Sequence, residues 1–494
     1  MRRAILTIAA VVLAAGTVPA VTHGKTICVD ADAAGANNGT NWADAYKFLQ
    51  DALTDANSSE KPVEIRVAQG VHKPDRSAAE PNGTGDCEAT FRLISGVTLK
   101  GGYAGFGQTD PNAHDINLYQ TILSGDLLGD DNDVGGSGIW TGFSGDCYHV
   151  VTASGTDQSA MMESFVVTRG SAMSLESEPY PFDPNKCGGG MFISIGSATI
   201  KNCTFTRNVA CYGGGMYALL SNPVLLDCSF SDNVSYPTKA DSFGGGMVND
   251  QTSGRLEGCR FERNTTRGSG GGMMNYNGSN PMVANCTFTA NSADGTGGGM
   301  YNDGSNPTFV NCTFTENTAG FGGGAIVSGG SSPRITNCVI SGNSGAHMGG
   351  GILLLICGGE PVISDCIIRG NRAWQGGGIC ESSGAGGASV HLRINRCVIA
   401  GNRAEGYGGG ISCGSWTGII EGSIITGNTA WGGAGIYSYS FDLELRSCTF
   451  SGNIAKEPGG GAYQGWPATL RDSILWGDIP KEIYTGSNPA EVVY

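Results

Sequence analysis

Four aspartates crowd into one short stretch: Asp126, Asp130, Asp131 and Asp133. Carboxylates at that density are hard oxygen donors of the kind calcium takes. The EF-hand template fails on them, because Gly136 falls at the fifth position after Asp131 and no Glu closes the loop. A solvated acidic turn is the blander reading of the same stretch.

Gly410-Ile411-Ser412-Cys413-Gly414 matches the Gly-x-Ser-x-Gly pattern of serine hydrolases. That chemistry requires a strand-to-helix elbow, and here the serine falls within a repeated strand, so the match is coincidental. A polysaccharide lyase needs clustered carboxylates beside an Arg or Lys base. Asp250 and Asp303 are two repeats apart, too far for one ion, and Arg372 and Arg403 have no acidic cluster in phase. No catalytic set is evident. Tyr212, Phe243, Phe321, Trp374, Tyr407 and Trp431 each precede a glycine run. Such a row would stack on sugar rings, or fold over a corner and pack on itself.

All these side chains hang on one repeating phrase. Its cysteine position reads Cys203, Cys228, Cys259, Cys286, Cys312, Cys338, Cys366, Cys397, Ser423, Cys448 and Ser473, in steps of 25 to 31 residues. An asparagine follows five residues later at Asn208, Asn233, Asn264, Asn291, Asn317, Asn343, Asn371, Asn402, Asn428 and Asn453. A fixed period of this length decides the architecture before any other signal. The cysteine and the residue two later alternate with polar neighbours, as in a strand with one buried face. The residue three before is also apolar (Phe309, Ile335, Ile363), and three is an odd step, so a corner lies between. No helix fits inside a repeat.

Three strands and three corners in about 26 residues predict a right-handed parallel β-helix of about 11 regular coils. Coils stacked about 4.8 Å apart would make a rod on the order of 50 Å long. Asn supplies the left-handed conformation a corner needs and bonds from coil to coil. The glycine runs allow a sharp corner.

The phrase Phe-x-x-Asn (Phe205 to Asn208, Phe288 to Asn291, Phe314 to Asn317) alternating with Gly-Gly-Ala-Ile (Gly323 to Ile326) resembles the repeat of chlamydial polymorphic outer membrane proteins. Most glycine runs here read Gly-Gly-Gly-Met or Gly-Gly-Gly-Ile, a departure from that pattern. The resemblance covers roughly residues 187–476. It implies a pectin-lyase-like fold on a bacterial surface or secreted protein, and adhesion or display at the cell outer membrane.

Residues 1–20 read as a secretory signal peptide, with cleavage as late as residue 24: a basic start, thirteen apolar residues, then small ones. Residues 25–70 form a cap and first strands. A helix begins at Asn41 with Asp44 three residues on, and Trp42, Tyr46, Leu49 and Leu53 share its face. The run 41–53 with 67–70 looks like the N-terminal cap of bacterial β-helix proteins. Residues 71–186 are irregular coils with long loops, and 187–494 are the regular repeats. The end is abrupt, so either something else covers the last coil or the gene is longer.

Charge is sparse at 15 % and sums to −15, which disfavours nucleic acid and anionic membrane as partners. No stretch is a transmembrane segment. Seventeen cysteines in an exported chain suggest disulfides. Ladder thiols about 4.8 Å apart do not suit a bridge and read as small fillers. Cys187 and Cys211, one coil apart, are the candidate disulfide; two of Cys357, Cys380 and Cys413 could also pair. The expected function is an adhesion, binding or structural rod without a cofactor, calcium aside, with glycans or cell-surface components as partners. A pectate-lyase-type enzyme is the alternative.

Overall fold

The computed structural model describes residues 24–133, 140–143, 145–173, 183–236, 242–355, 359–382, 391–414, 417–438, 442–457, 459–464, 469–485 and 491–493. The signal-peptide expectation at 1–20 therefore lies outside the described residues, as does Cys357.

One coil shows why the sequence folds as it does. Thr308–Val310 runs along one face, Thr313–Thr315 along a second, Thr318–Ala319 along a third and Ile326–Gly329 along a fourth. Each pairs in parallel with the equivalent strand one coil away, for instance Phe314 with Phe288 and with Ile340. Repetition gives four parallel sheets of 16, 14, 11 and 14 strands among the described residues, numbered here first to fourth in coil order. The expected three strands per coil are thus four. The extra one is a two-residue strand just after the ladder asparagine, too short to show a period.

The middle residue of each three-residue strand points inward and its neighbours point out. One continuous core results. Phe205, Phe230, Phe261, Phe288 and Phe314 stack with ring centroids 4.9, 4.8, 4.7 and 4.7 Å apart. That is the interstrand spacing itself. Register thus holds the rings near-parallel at a spacing that also suits stacked aromatic pairs.

The asparagines are fully buried and wired in series. Asn317 Nδ2 donates to Phe288 O at 2.9 Å and to Asn343 Oδ1 at 2.9 Å. Its own Oδ1 accepts from Asn291 N at 3.0 Å and Asn291 Nδ2 at 2.9 Å. The left-handed residue at this corner is the one before the asparagine: Arg207, Asp232, Arg263, Ala290 and Glu316 have φ of 53–58°. The expectation that Asn itself turns the corner is corrected. Its amide must face inward to bridge coils, so its neighbour takes the turn. A second left-handed position precedes the cysteine, at Asn285, Asn311 and Asn337.

Asp478 takes the asparagine slot in the next coil, accepting from Asn453 N at 2.6 Å and Asn453 Nδ2 at 2.9 Å. Beyond it, Ile483–Thr485 and Glu491–Val493 extend the fourth and first sheets.

Cysteines of the ladder are buried. Cys338 Sγ donates to Thr336 O at 3.3 Å and accepts from Cys312 N at 3.4 Å. Ser423 does the same work, accepting from Cys397 N and donating to Glu421 O. The slot asks for a small side chain that both gives and takes a hydrogen bond. Cys187, Cys211, Cys380 and Cys413 are likewise buried.

Two further ladders run inside. Asn249, Asn275 and Asn302 pass amide bonds along to Ser328. The backbone N–H groups of Ser221, Thr252, Ser279 and Ser305 donate to the hydroxyl oxygens of Thr252, Ser279, Ser305 and Ser331 in turn, each one coil on.

The helix is Leu49–Ser58, later than expected. Asn41 and Asp44 do bond reciprocally, at 3.0 Å and 2.8 Å, but they close a turn. Trp42 leaves the helix face and packs with Cys28 and Tyr103. Leu49, Ala52, Leu53 and Ala56 cover the open end of the core instead. Among the described residues no helix is long and apolar enough to cross a membrane.

Candidate functional site

Two surface features stand out from the self-satisfied shaft. The first lies over the early coils of the second sheet. Strands Gly70–His72, Thr121–Ser124 and Val166–Thr168 lie side by side there, and their outward residues Val71, Ile122 and Val166 are in register. The segments leaving these strands carry Lys73, Asp126 and Arg169 to one edge. With Arg207 and Asp232 from the next coils they line a groove of about 600 Å³.

Beside this groove the chain makes an excursion, leaving the four sheets after Ser124 and rejoining them at Val151. It brings Asp126, Asp130 and Asp146 together, with one carboxylate oxygen of each within 4.8 Å of the others. Of the four expected calcium ligands, Asp126 and Asp130 are in this group. Asp131 faces Arg169 instead, with Oδ2 3.5 Å from Nη1. The backbone of Asp133 pairs with Trp140, and its side chain lies outside the described residues. Arg169 Nη1 also meets Asp126 Oδ2 at 3.1 Å and donates to Asp131 O at 3.3 Å.

Asp146 was not legible as a member. It arrives from the far side of the excursion, and no spacing rule connects it to the others. It is only 2 % exposed. Burial, and the charges of Asp131, Asp126 and Asp130, push its carboxyl up to about 8 against the pull of Arg169. Burial and Asp126 likewise raise Asp131 to about 6. All donors in this group are carboxylate oxygens, a set that suits a hard divalent cation and offers nothing to a soft one.

The second feature is the aromatic corner. What reads as one row in the sequence is two columns in the fold. Tyr212 bridges to Phe243, and Tyr407 bridges to Gly432. Tyr212 and Phe243 stack at 5.9 Å and pack on Phe192 and Tyr217. Phe321, Trp374 and Trp431 sit one residue earlier, ahead of the bridging Gly322, Gln375 and Gly432. Adjacent residues of an extended segment point to opposite sides. These three are accordingly 43 %, 54 % and 44 % exposed. His347 belongs to this outward column and meets Phe321 with centroids 5.3 Å apart. Between Trp374 and Trp431 the column holds Gly406, whose missing side chain leaves room for the indole of Trp374. Tyr407 lies in the inner column, 39 % exposed, and stacks on Tyr437 at 4.4 Å.

Other sequence candidates are absorbed by the shaft. Ser412 is buried in a strand and accepts from Gln375 Nε2 at 2.8 Å, with no elbow around it. Asp250 takes bonds from the Tyr217 hydroxyl and from Asn277 Nδ2, both at 2.8 Å.

The coil geometry agrees with a match to a family model described as "Right handed beta helix region", over residues 166–295 and 247–393. The fold is a right-handed parallel β-helix. Similar solved structures include PfbA, a surface adhesin of Streptococcus pneumoniae, at 11 % identity over 88 % of each chain with a TM-score of 0.34. The pectate lyase Pel9A shows 13 % identity over 96 % of this chain and 80 % of its own, with a TM-score of 0.27. A rhamnogalacturonan lyase shows 11 % over 95 % and 90 %, with a TM-score of 0.23. Likeness this distant says nothing about activity. No curated protein sequence matches the chain.

Proposed function

We propose that this protein is an exported bacterial binding rod, of the adhesive kind its polymorphic-outer-membrane-like repeat implies, and that glycans are its ligands. The observation that carries this reading is the outward aromatic column of Phe321, Trp374 and Trp431 on a rigid corner. Flat rings held in fixed register on a stiff shaft stack on sugar faces with little ordering cost. Trp374 and Trp431 are two coils apart, about 9.6 Å by the strand spacing. That separation fits two sugar units of a linear chain.

The test is binding of the full chain to a panel of immobilised neutral and acidic polysaccharides. Replacing Trp374 and Trp431 together by Ala is expected to weaken capture about tenfold, from about 0.7 kcal/mol per lost ring contact. Undiminished capture would refute the aromatic column as the ligand face. The enzyme reading has one observation behind it, the groove where Lys73, Asp126 and Arg169 share an outer face. Release of unsaturated, ultraviolet-absorbing sugar ends from any polysaccharide of the panel would favour a lyase. Export is tested by the amino terminus of protein recovered outside the cell, expected between residues 21 and 25.

A further inference from the structure

The excursion between Ser124 and Val151 holds a charge imbalance that the chain does not resolve by itself. Both carboxylate oxygens of Asp146 are buried and have no hydrogen-bond partner among the described residues, and Oδ1 of Asp131 is in the same condition. Burying a carboxylate without a partner is among the costliest placements a side chain can take. Four carboxylates, at Asp126, Asp130, Asp131 and Asp146, gather beside two cations, Arg169 and Lys73, and ionising all four would leave two negative charges over. Arg169 is already bonded to Asp126 and Asp131, and Lys73 Nζ donates to Leu127 O at 3.3 Å.

We propose that Asp126, Asp130 and Asp146 form a calcium site that fastens the outgoing limb of this excursion to its returning limb. The three oxygens already converge within 4.8 Å. Asp126 and Asp130 leave on one limb, and Asp146 returns on the other. A divalent cation between them supplies the missing positive charge, gives Asp146 its partner and closes the loop. Calcium suits the site better than magnesium, because it accepts an irregular oxygen shell completed by water, whereas magnesium demands near-octahedral geometry. The site stands independently of the glycan reading.

Calorimetric titration of CaCl2 into chelator-stripped full-length protein, with thermal unfolding at matched calcium levels, tests it. One calcium per chain is expected, with an unfolding midpoint that rises with the logarithm of calcium concentration. Asp146→Asn keeps the side-chain shape and is expected to weaken binding about tenfold or more. In calcium-free buffer it should unfold no earlier than the parent, since the carboxyl it replaces is buried without a partner. Asp130→Asn, at an exposed position, folds regardless and should show the same loss of affinity. Absence of binding up to about 5 mM calcium, beyond the range of extracellular calcium modules, would overturn the site. So would parental affinity in both variants, or tighter binding of magnesium than of calcium.

Discussion

In the regular coils, the buried ladder side chains find partners one coil away, although Asn249 Oδ1 and Glu381 Oε1 have none. Asn291, Asn317 and Asn343 exchange amide bonds, and Ser279 and Ser305 hand hydroxyls along. In the early coils the same sheets continue, but the ladders thin out. There Asp75, Asp131 and Asp146 hold buried oxygens without partners, and the chain leaves the sheets for long excursions. The contrast teaches where this molecule has chemistry to spare. Where the ladders run unbroken, the interior consumes its own amides and hydroxyls, and the outward aromatic column is left facing solvent. Where the repeat fails, charge is left over.

The sharpest way to break this contrast is to cut a ladder. Asn317→Ala removes four hydrogen bonds at a fully buried position and leaves the Asn291 N–H on the preceding coil without its acceptor. A loss of about 4 kcal/mol is expected, read by chemical denaturation.

The next effect is smaller and belongs to the early coils. His149 is buried, donates Nδ1–H to Gly188 O at 3.1 Å and stacks on Phe192. Burial lowers it to about 4, so the unfolded chain takes up a proton below about pH 6.5 while the folded one does not. Stability therefore falls as pH drops from about 6.5 to about 4, by about 3 kcal/mol for this group. His149→Phe lacks that loss. Its stability relative to the parent is expected to rise over the same window, and a constant difference would contradict the assignment.

A third test refines the ladder's demand. Cys338→Ser keeps both hydrogen bonds, as Ser423 does, and should cost less than about 1 kcal/mol. Cys338→Val orphans Cys312 N and should cost about 2 kcal/mol. Equal costs would show that size alone fills the slot. The smallest effect is expected outside: Trp374→Ser with Trp431→Ser should leave stability within about 0.5 kcal/mol, since both rings are largely exposed.

Much of the shaft was legible. Spacing alone places Cys312, Phe314 and Asn317 over their counterparts one coil on, because parallel stacking makes sequence period and spatial register the same quantity. The Thr318–Ala319 face was not legible, since two residues carry no period. The aromatic corner was half legible. A one-residue shift in phase reverses a side chain's direction, so Tyr212 packs inward while Trp374 faces water. Asp146 gave no signal at all, and neither did the Ser221-to-Ser331 ladder, whose members vary between Ser and Thr.

By itself, then, the sequence settled the coil, its stacking and its interior, because a local phrase repeated many times needs only nearest-neighbour contacts to define a structure. The tertiary fold alone decided which aromatic rings face outward, and which carboxylates meet beside Arg169. Those outcomes depend on residues far apart in the chain, brought together by an excursion whose path no period encodes.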